Sequence, residues 1–540
     1  MTSRSLTGFG PLLRFSLRRD RIKLPAWVLG SALFALYCAQ ALHYAVPNEN
    51  DLASLTGLLT GPAGIVLSGP GYGFEHPTTE NVFAGAYGMY VSVFAACGSI
   101  LLAVRHTRQE EEAERLELIR ALPVSRSTPL AVAAMMLAIY SVLVALVCWA
   151  VLAPTYEPAS SLLFACGVGM VCLVFGAAAL VAAQLVEHAR TATGYGFLAL
   201  GTAFLVRGIG DVLGNSGESS ERGSLVSWFS PLAWAQQTRV YVDDRWWPLG
   251  LGVALAVLLG ALAVVLQRRR DLGAGLLPGR PGRARGGSAL SGPLSLAFRL
   301  QRGGLIGWSI TAAVTGLAFG ALADQIASSL SNLQDPAILA ALGGDASRVT
   351  DGYYAICLLF GVVLASGFSI LAAQRLGADE RTGRAELMLA LPVSRARWVS
   401  SVAIVAGVGA ALVLAVGGAA TGLAAAAVLG QPQLISELLV ASLAYLPSVL
   451  VVAATAILGY AVHPSLPGYA WVVVGYGFFV SSLGKSLGLP EWLSKFSVVE
   501  AVGSPPIGAP DAAWVWILTA LALGIFGLAL ARIRTREIMS

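Results

Sequence analysis

The sequence predicts an all-α polytopic membrane protein of about 12 transmembrane helices, arranged as two parallel six-helix repeats with both termini cytoplasmic. Three observations predict it. The 540 residues are 56% hydrophobic and only 12% charged, with mean hydropathy +0.72; a soluble protein carries about 25% charged residues. Apolar runs of membrane-crossing length recur along the whole chain, and a crossing helix needs about 20 such residues. One charged segment between two of these runs occurs a second time in the other half of the chain.

The charge deficit leaves too little polar surface to coat a water-soluble globule, so lipid is the solvent for most of this surface. The net charge of +5 sits in short Arg clusters between apolar runs. These read as cytoplasmic loops beside anionic headgroups rather than as a nucleic-acid surface, because no basic face interleaved with aromatics occurs. Cys38, Cys97, Cys148, Cys166, Cys172 and Cys357 all lie in apolar runs without metal-ligand spacing, and read as small hydrophobes.

The first apolar run begins near Leu24, after Arg14, Arg18, Arg19, Arg21 and Lys23. It lacks a short apolar core followed by a small-residue cleavage site, so it reads as a membrane span, not a signal peptide. Spans are expected near 25–45, 83–104, 129–152, 160–186, 192–212 and 247–266. A second set is expected near 305–327, 353–374, 398–428, 435–461, 468–488 and 513–532. With this count the Arg-rich segments (the amino terminus, 105–126, 187–190, 267–302, 375–397 and the tail with Arg532, Arg534 and Arg536) all fall on one side, the cytoplasmic one. Trp27, Trp228, Trp234, Trp246, Trp247, Trp308, Trp398, Trp492 and Trp514 fall at span ends, where indole rings anchor at headgroup level.

The repeat organises the rest. Arg115-Leu-Glu-Leu-Ile-Arg-Ala-Leu-Pro-Val-Ser-Arg126 and Arg384-Ala-Glu-Leu-Met-Leu-Ala-Leu-Pro-Val-Ser-Arg395 agree at nine of twelve positions. Each lies between the second and third expected spans of its half. Arg18, Arg21 and Trp27 recur as Arg299, Arg302 and Trp308, and the run from Pro62 resembles the run from Pro336. The chain therefore divides into a first six-span half at 1–270, a flexible Gly/Pro/Arg-rich linker at 271–292 and a second six-span half at 293–540.

Within each repeated loop, acids come first: Glu110, Glu111 and Glu112, then Glu114 and Glu117, in one copy, Asp379, Glu380 and Glu386 in the other. Acids favour a helix amino end. Leu118 with Leu122, and Leu387 with Leu391, then share a face at i,i+4. Pro123 and Pro392 stop the helix, and Ser125 and Ser394 are placed to cap the next span. The expected product is a short amphipathic helix at the cytoplasmic surface. Interfacial helices that lie on lipid are usually basic, so acid-led ones point to a protein partner.

The pattern over Glu380–Arg395 (Glu-x-x-Gly-Arg-x-Glu-Leu-x-x-x-Leu-Pro-Val-Ser-Arg) resembles the coupling-helix loop of ABC-2-type (type V) ABC exporter permeases. It is most similar to the fused twelve-span actinobacterial tetronasin-type or multidrug exporter membrane subunits. The first copy departs from it, with Glu114 where the second has Gly383. The resemblance implies a permease subunit in a bacterial plasma membrane that moves a hydrophobic or amphipathic, drug-like molecule out of the cell. It also implies two copies of a separate cytoplasmic ABC ATPase that carry ATP and Mg. The ATPases would dock on Glu110, Glu111, Glu114, Glu117, Leu118, Leu122, Pro123 and Arg126, and on Asp379, Glu380, Arg384, Glu386, Leu387, Leu391, Pro392 and Arg395. It further implies a cavity faced by the second and fifth spans of each half, whose aromatics are Tyr87, Tyr90, Phe94, Phe197, Phe204, Phe360, Phe368, Tyr476, Phe478 and Phe479.

No Walker A loop is legible: Gly484-Lys485-Ser486 has Phe479 where the pattern needs Gly. The chain is thus expected to be a transport subunit with no ATP, metal or catalytic site of its own and no nucleic-acid partner. Arg207 and Asp211, at i,i+4, are the candidate gate pair. Two alternatives stay open at this level, an ion-coupled secondary transporter and a membrane scaffold that transports nothing.

Overall fold

In a computed structural model the chain is helical throughout its described regular elements. The described residues are 6–45, 52, 55–57, 59–121, 123–214, 224–271, 273–277, 290, 292–324, 346–483, 491–503 and 505–536. Leu122, Gly484-Lys485-Ser486 and the run from Pro336 fall outside them. Two compact units emerge, Met1–Gly282 and Arg283–Ser540.

The first unit opens with an amphipathic helix α1 (Phe9–Arg19) and the first span α2 (Lys23–Ala45). A short helix α3 (Pro62–Ser68) precedes the second span α4 (Thr79–Arg105). Thr78 starts α4 with a reciprocal cap: Asn81 N donates to Thr78 Oγ1 at 3.2 Å, and Thr78 N donates to Asn81 Oδ1 at 2.9 Å. Two short helices, α5 (Arg108–Glu112) and α6 (Arg115–Arg120), carry the repeated loop. The spans α7 (Thr128–Leu152), α8 (Pro158–Leu185) and α9 (Ala189–Gly214) follow. A short helix α10 (Pro231–Gln236) leads into the last span of the half, α11 (Trp247–Arg269). α8 is the hub, packed against α4, α7, α9 and α11.

In the second unit the pre-span segment and the first span are one helix, α12 (Pro293–Ala321). Next come α13 (Ala346–Arg381), the short α14 (Arg384–Leu389) and α15 (Arg395–Leu429). The span expected at 435–461 is two helices, α16 (Gln433–Ala444) and α17 (Leu446–Val462), parted at Tyr445, two residues before Pro447, where proline removes a backbone donor that a continuous helix would use. Then come α18 (Ala470–Leu483), the short α19 (Glu491–Lys495) and the last span α20 (Ala512–Thr535).

Eleven helical stretches among the described residues are long and apolar enough to cross a membrane, with α16 and α17 together (Gln433–Val462) making one of them. The span expected at 468–488 is a shorter apolar helix, α18, and residues 484–490 lie outside the described set. Closed backbone hydrogen bonding within helices suits such segments to lipid.

Small residues set the closest helix contact of the second unit. A Cβ on Gly316 would lie 2.5 Å from the Gly417 carbonyl oxygen, and one on Gly320 would lie 2.2 Å from that of Thr421. α12 and α15 therefore touch backbone to backbone, as small residues four apart allow. Small-xxx-small spacings are too frequent in this Gly-rich sequence to single out this pair. Trp398, expected as a headgroup anchor, is instead buried at 5% exposure with its ring edge-on to Tyr460 at 6.2 Å.

Candidate functional site

The repeated loops were expected to be helices led by acids. Instead, the leading acids belong to the end of the preceding helix, and the short helix starts after a reversal. Glu114 takes the left-handed conformation at φ 57, and Gly383 takes it at φ 71. The two positions that differ in the repeat thus share one backbone geometry, natural for glycine and costly for glutamate. Only Glu117 and Glu386 lie in the first turn of the short helices α6 and α14.

In the first unit Glu111 is the centre of an ion cluster. It accepts from Arg108 Nη1 at 2.7 Å and from Arg270 Nη1 at 2.9 Å. The fully buried Arg108 also donates to the carbonyls of Ala183 at 2.6 Å and Ala274 at 2.8 Å. Arg270 directly follows α11, and its carbonyl oxygen in turn receives Arg126 Nη2. The loop therefore grips the end of the last span twice, once by Glu111 on the Arg270 side chain and once by Arg126 on the Arg270 backbone. Glu110 pairs with Arg19 at 2.6 Å and Arg115 at 3.3 Å, and Glu112 accepts from Ala189 N at 2.8 Å, at the start of α9.

The second unit repeats the grip with different spacing. Glu380, 4% exposed, pairs with Arg536, which follows α20. Arg395 Nη1 donates to the Arg536 carbonyl at 2.6 Å. Tyr460 Oη adds a third bond to Glu380 at 2.7 Å. Low-dielectric surroundings strengthen these pairs, provided each partner stays satisfied.

The docking expectation is therefore redistributed. Glu110, Glu111 and Glu380 face inward onto arginines, and Arg126 and Arg395 each donate to the backbone carbonyl of the arginine that follows the last span. Asp379 lies 3.8 Å from Arg375. The outward set is Glu114, Glu117, Pro123, Arg384, Glu386 and Pro392, with Leu387 74% and Leu391 56% exposed. Leu118 lies on α6 with its side chain outside the described set. Ser394 caps α15 by accepting from Arg397 N at 3.2 Å. At α7 the N-cap position is Ser127 rather than Ser125, and the Ser125 backbone N–H goes to the Thr7 carbonyl at 3.2 Å.

Beside the first clasp, Asp20 is fully buried between Arg105 Nε at 2.9 Å and His106 Nε2 at 2.7 Å. Burial pushes its carboxyl up, but the hydrogen bonds and charges of His106 and Arg105 prevail and hold it at about 2. Asp20, Arg108, Arg270, Arg536 and Tyr460 were missed in the sequence. One signal was available for two of them: Arg270 and Arg536 each stand just past the last span of their half.

Arg207 and Asp211 do pair, at 3.1 Å, and are buried. Arg207 also donates to the Ile65 carbonyl at 3.3 Å and to that of Val66, and Asp211 accepts from Ser227 Oγ at 2.6 Å. The pair thus fastens α9 to α3. The aromatic candidates separate. Phe368 is core, 3% exposed and packed on Gly409. Tyr476 is tied to the Leu493 carbonyl at 2.7 Å, and Phe204 lies under the Arg207 guanidinium at 4.9 Å. Phe360 packs on Phe478 at 5.3 Å, and Tyr87 is half-buried against the core. Tyr90, Phe94, Phe197 and Phe479 are each more than a third exposed.

Helices of membrane-crossing length and a loop clasped to the last span in each half define the class, a multi-pass helical membrane protein with a repeated cytoplasmic-type joint. The family described as multidrug efflux system permease Rv1217c, C-terminal domain, matches residues 290–534. The multidrug efflux system permease protein Rv1217c of Mycobacterium tuberculosis (strain ATCC 25618 / H37Rv) is 33% identical over 543 residues, covering 97% of this chain and 95% of that relative. The chain belongs to this family of bacterial multidrug efflux system permeases.

Proposed function

We propose that the chain is the membrane subunit of an ATP-binding-cassette exporter. In this reading it moves a hydrophobic or amphipathic small molecule out of the cell, and two copies of a separate cytoplasmic ATPase bind ATP and Mg and do the hydrolysis. The relative named as a multidrug efflux permease supports the direction and the breadth of substrate. The observation that carries the coupling is the clasp of Glu380, Arg395 and Arg536.

A short helix and the turn after it, with Leu387 on α14 and Leu391 just past its end exposed among Arg384 and Glu386, suit a groove on a protein partner. The clasp makes it a lever. A pull on α14 passes through Glu380 and Arg395 to the end of α20, so that docking and closure of the ATPases bias the helices between two arrangements. In the first half Glu117 on α6 takes the equivalent outward place, with Glu111, Arg126 and Arg270 behind it.

The test is co-purification of the chain with a candidate ABC ATPase from membranes. Glu117→Lys and Glu386→Lys together should abolish ATPase capture and drug efflux while leaving the inserted amount of chain unchanged. Undiminished capture in the double variant, or efflux by the chain alone that stops when the proton gradient is dissipated, would overturn the reading.

A further inference from the structure

The two halves differ where α1 and α12 meet their loops. In the first unit that place is filled by charge: Arg19 on Glu110 and Asp20 on Arg105 and His106. By the register of Arg18, Arg21 and Trp27 with Arg299, Arg302 and Trp308, the residues standing at positions 19 and 20 in the second half are Leu300 and Gln301. Neither repeats the ion pairs. A cavity of ≈ 390 Å³ opens there instead, between α12, α13, α14 and α15. Gln301 lines it, is 6% exposed, and has neither its amide nitrogen nor its amide oxygen hydrogen-bonded. An amide buried with both ends unmet costs several times what a satisfied one contributes, so an occupant that both accepts and donates is what this position lacks.

The rest of the lining states the occupant's chemistry. Leu296, Leu300, Leu387 and Trp398 give it an apolar wall. Arg375 and Arg384 supply two guanidiniums against the single carboxylate of Asp379, a net charge of +1. Arginine pairs suit phosphate oxygens. We propose that this cavity binds an anionic amphiphile of the glycerophospholipid kind, its phosphate toward Arg384 and Arg375, its glycerol hydroxyls and ester oxygens on Gln301, and its acyl chain along Leu296, Leu300 and Trp398.

The site is built to be felt by the lever. Leu387 on α14 is part of its wall, and Trp398 touches Tyr460, which bonds Glu380 in the clasp. An occupant steadies α14 in one position, and the first half, whose equivalent space is spanned by ion pairs, does not respond to it. The second coupling loop is thus lipid-sensitive at this site. The binding site stands without the export reading; its effect on coupling rests on it.

The full chain, purified in detergent and stripped of lipid, is titrated with dioctanoylphosphatidylglycerol and followed by native mass spectrometry. One tightly held molecule per chain is expected. Its affinity should fall at least tenfold in Gln301→Leu and in Arg384→Ala, and remain unchanged in Arg190→Ala. Gln301→Leu removes two unmet polar atoms and should melt no lower than wild type, so its lost binding is not unfolding. Inorganic phosphate alone should not compete, and dioctanoylphosphatidylcholine should bind more weakly. Equal binding by wild type, Gln301→Leu and Arg384→Ala, or full competition by inorganic phosphate, would overturn the proposal. No ATPase and no transport enter the readout, so its failure is separable from failure of the exporter reading.

Discussion

Glu380 and Arg536 are 156 residues apart in sequence and form a buried carboxylate–guanidinium pair that joins the end of the second span of its half to the end of the last. Glu111 and Arg270, 159 residues apart, do the same in the first half. In each case the carbonyl of that arginine is also taken, by Arg395 or by Arg126. The twelve-residue repeat therefore preserves a joint: its last residue, an arginine, closes a bond whose other half lies outside the repeat.

Breaking one side of this joint leaves a buried charge unmet. Glu380→Ala should lower stability by about 3 kcal/mol, and Glu380→Leu with Arg536→Leu should recover much of that loss, since apolar replacement of a whole buried pair is often tolerated. Unfolding in mixed micelles, read as a double-mutant cycle, checks it; additive losses would show that the two residues do not interact.

Glu114 holds a left-handed backbone that Gly383 holds without cost. Glu114→Gly should therefore raise stability by about 1 kcal/mol, and Gly383→Ala should lower it by about the same amount. A Cβ at Gly383 would meet nothing within 4 Å, so the loss there is conformational alone. Thermal melts of the two variants should shift in opposite directions.

Gly316 and Gly320 let α12 rest on the backbone of α15. Gly320→Val should push these helices apart and cost about 3 kcal/mol or more through overpacking. Gly303→Ala, on the same helix with nothing within 4 Å of an added Cβ, should be silent. The monomer yield on size exclusion distinguishes the two.

Asp20 titrates in the folded chain at about 2, below its ordinary 3.8. A depressed carboxylate contributes stability that is whole above about pH 4 and is lost as pH falls towards 2. Asp20→Asn should melt below wild type at pH 7, with the gap closing between pH 4 and pH 2. A gap independent of pH would show that Asp20 acts by shape rather than charge.

Much of this was legible along the chain. The helical, membrane-crossing character and the positions of most spans follow from the length of apolar runs, because lipid thickness fixes how many residues a crossing helix needs. The repeat and the outward Leu387–Leu391 face follow from spacing alone. Other things were not legible. The intramolecular partners of Glu110, Glu111 and Glu380 were not readable, because a charged residue reads as solvent-facing until a partner distant in sequence is known to meet it. Trp398 looked like an interfacial anchor by position and is core. The difference between Asp20 and Gln301 was a single letter in an imperfect repeat.

What the sequence by itself determined is one-dimensional: apolar length, charge segregation and a duplicated loop, each set by contacts within a turn or two of helix or with the solvent. What only the tertiary structure decided is which distant arginine meets which acid, which of many glycines lie at a backbone contact, and where a buried amide is left facing an open cavity. Those depend on the packing of helices brought together across long stretches of chain, which no local pattern encodes.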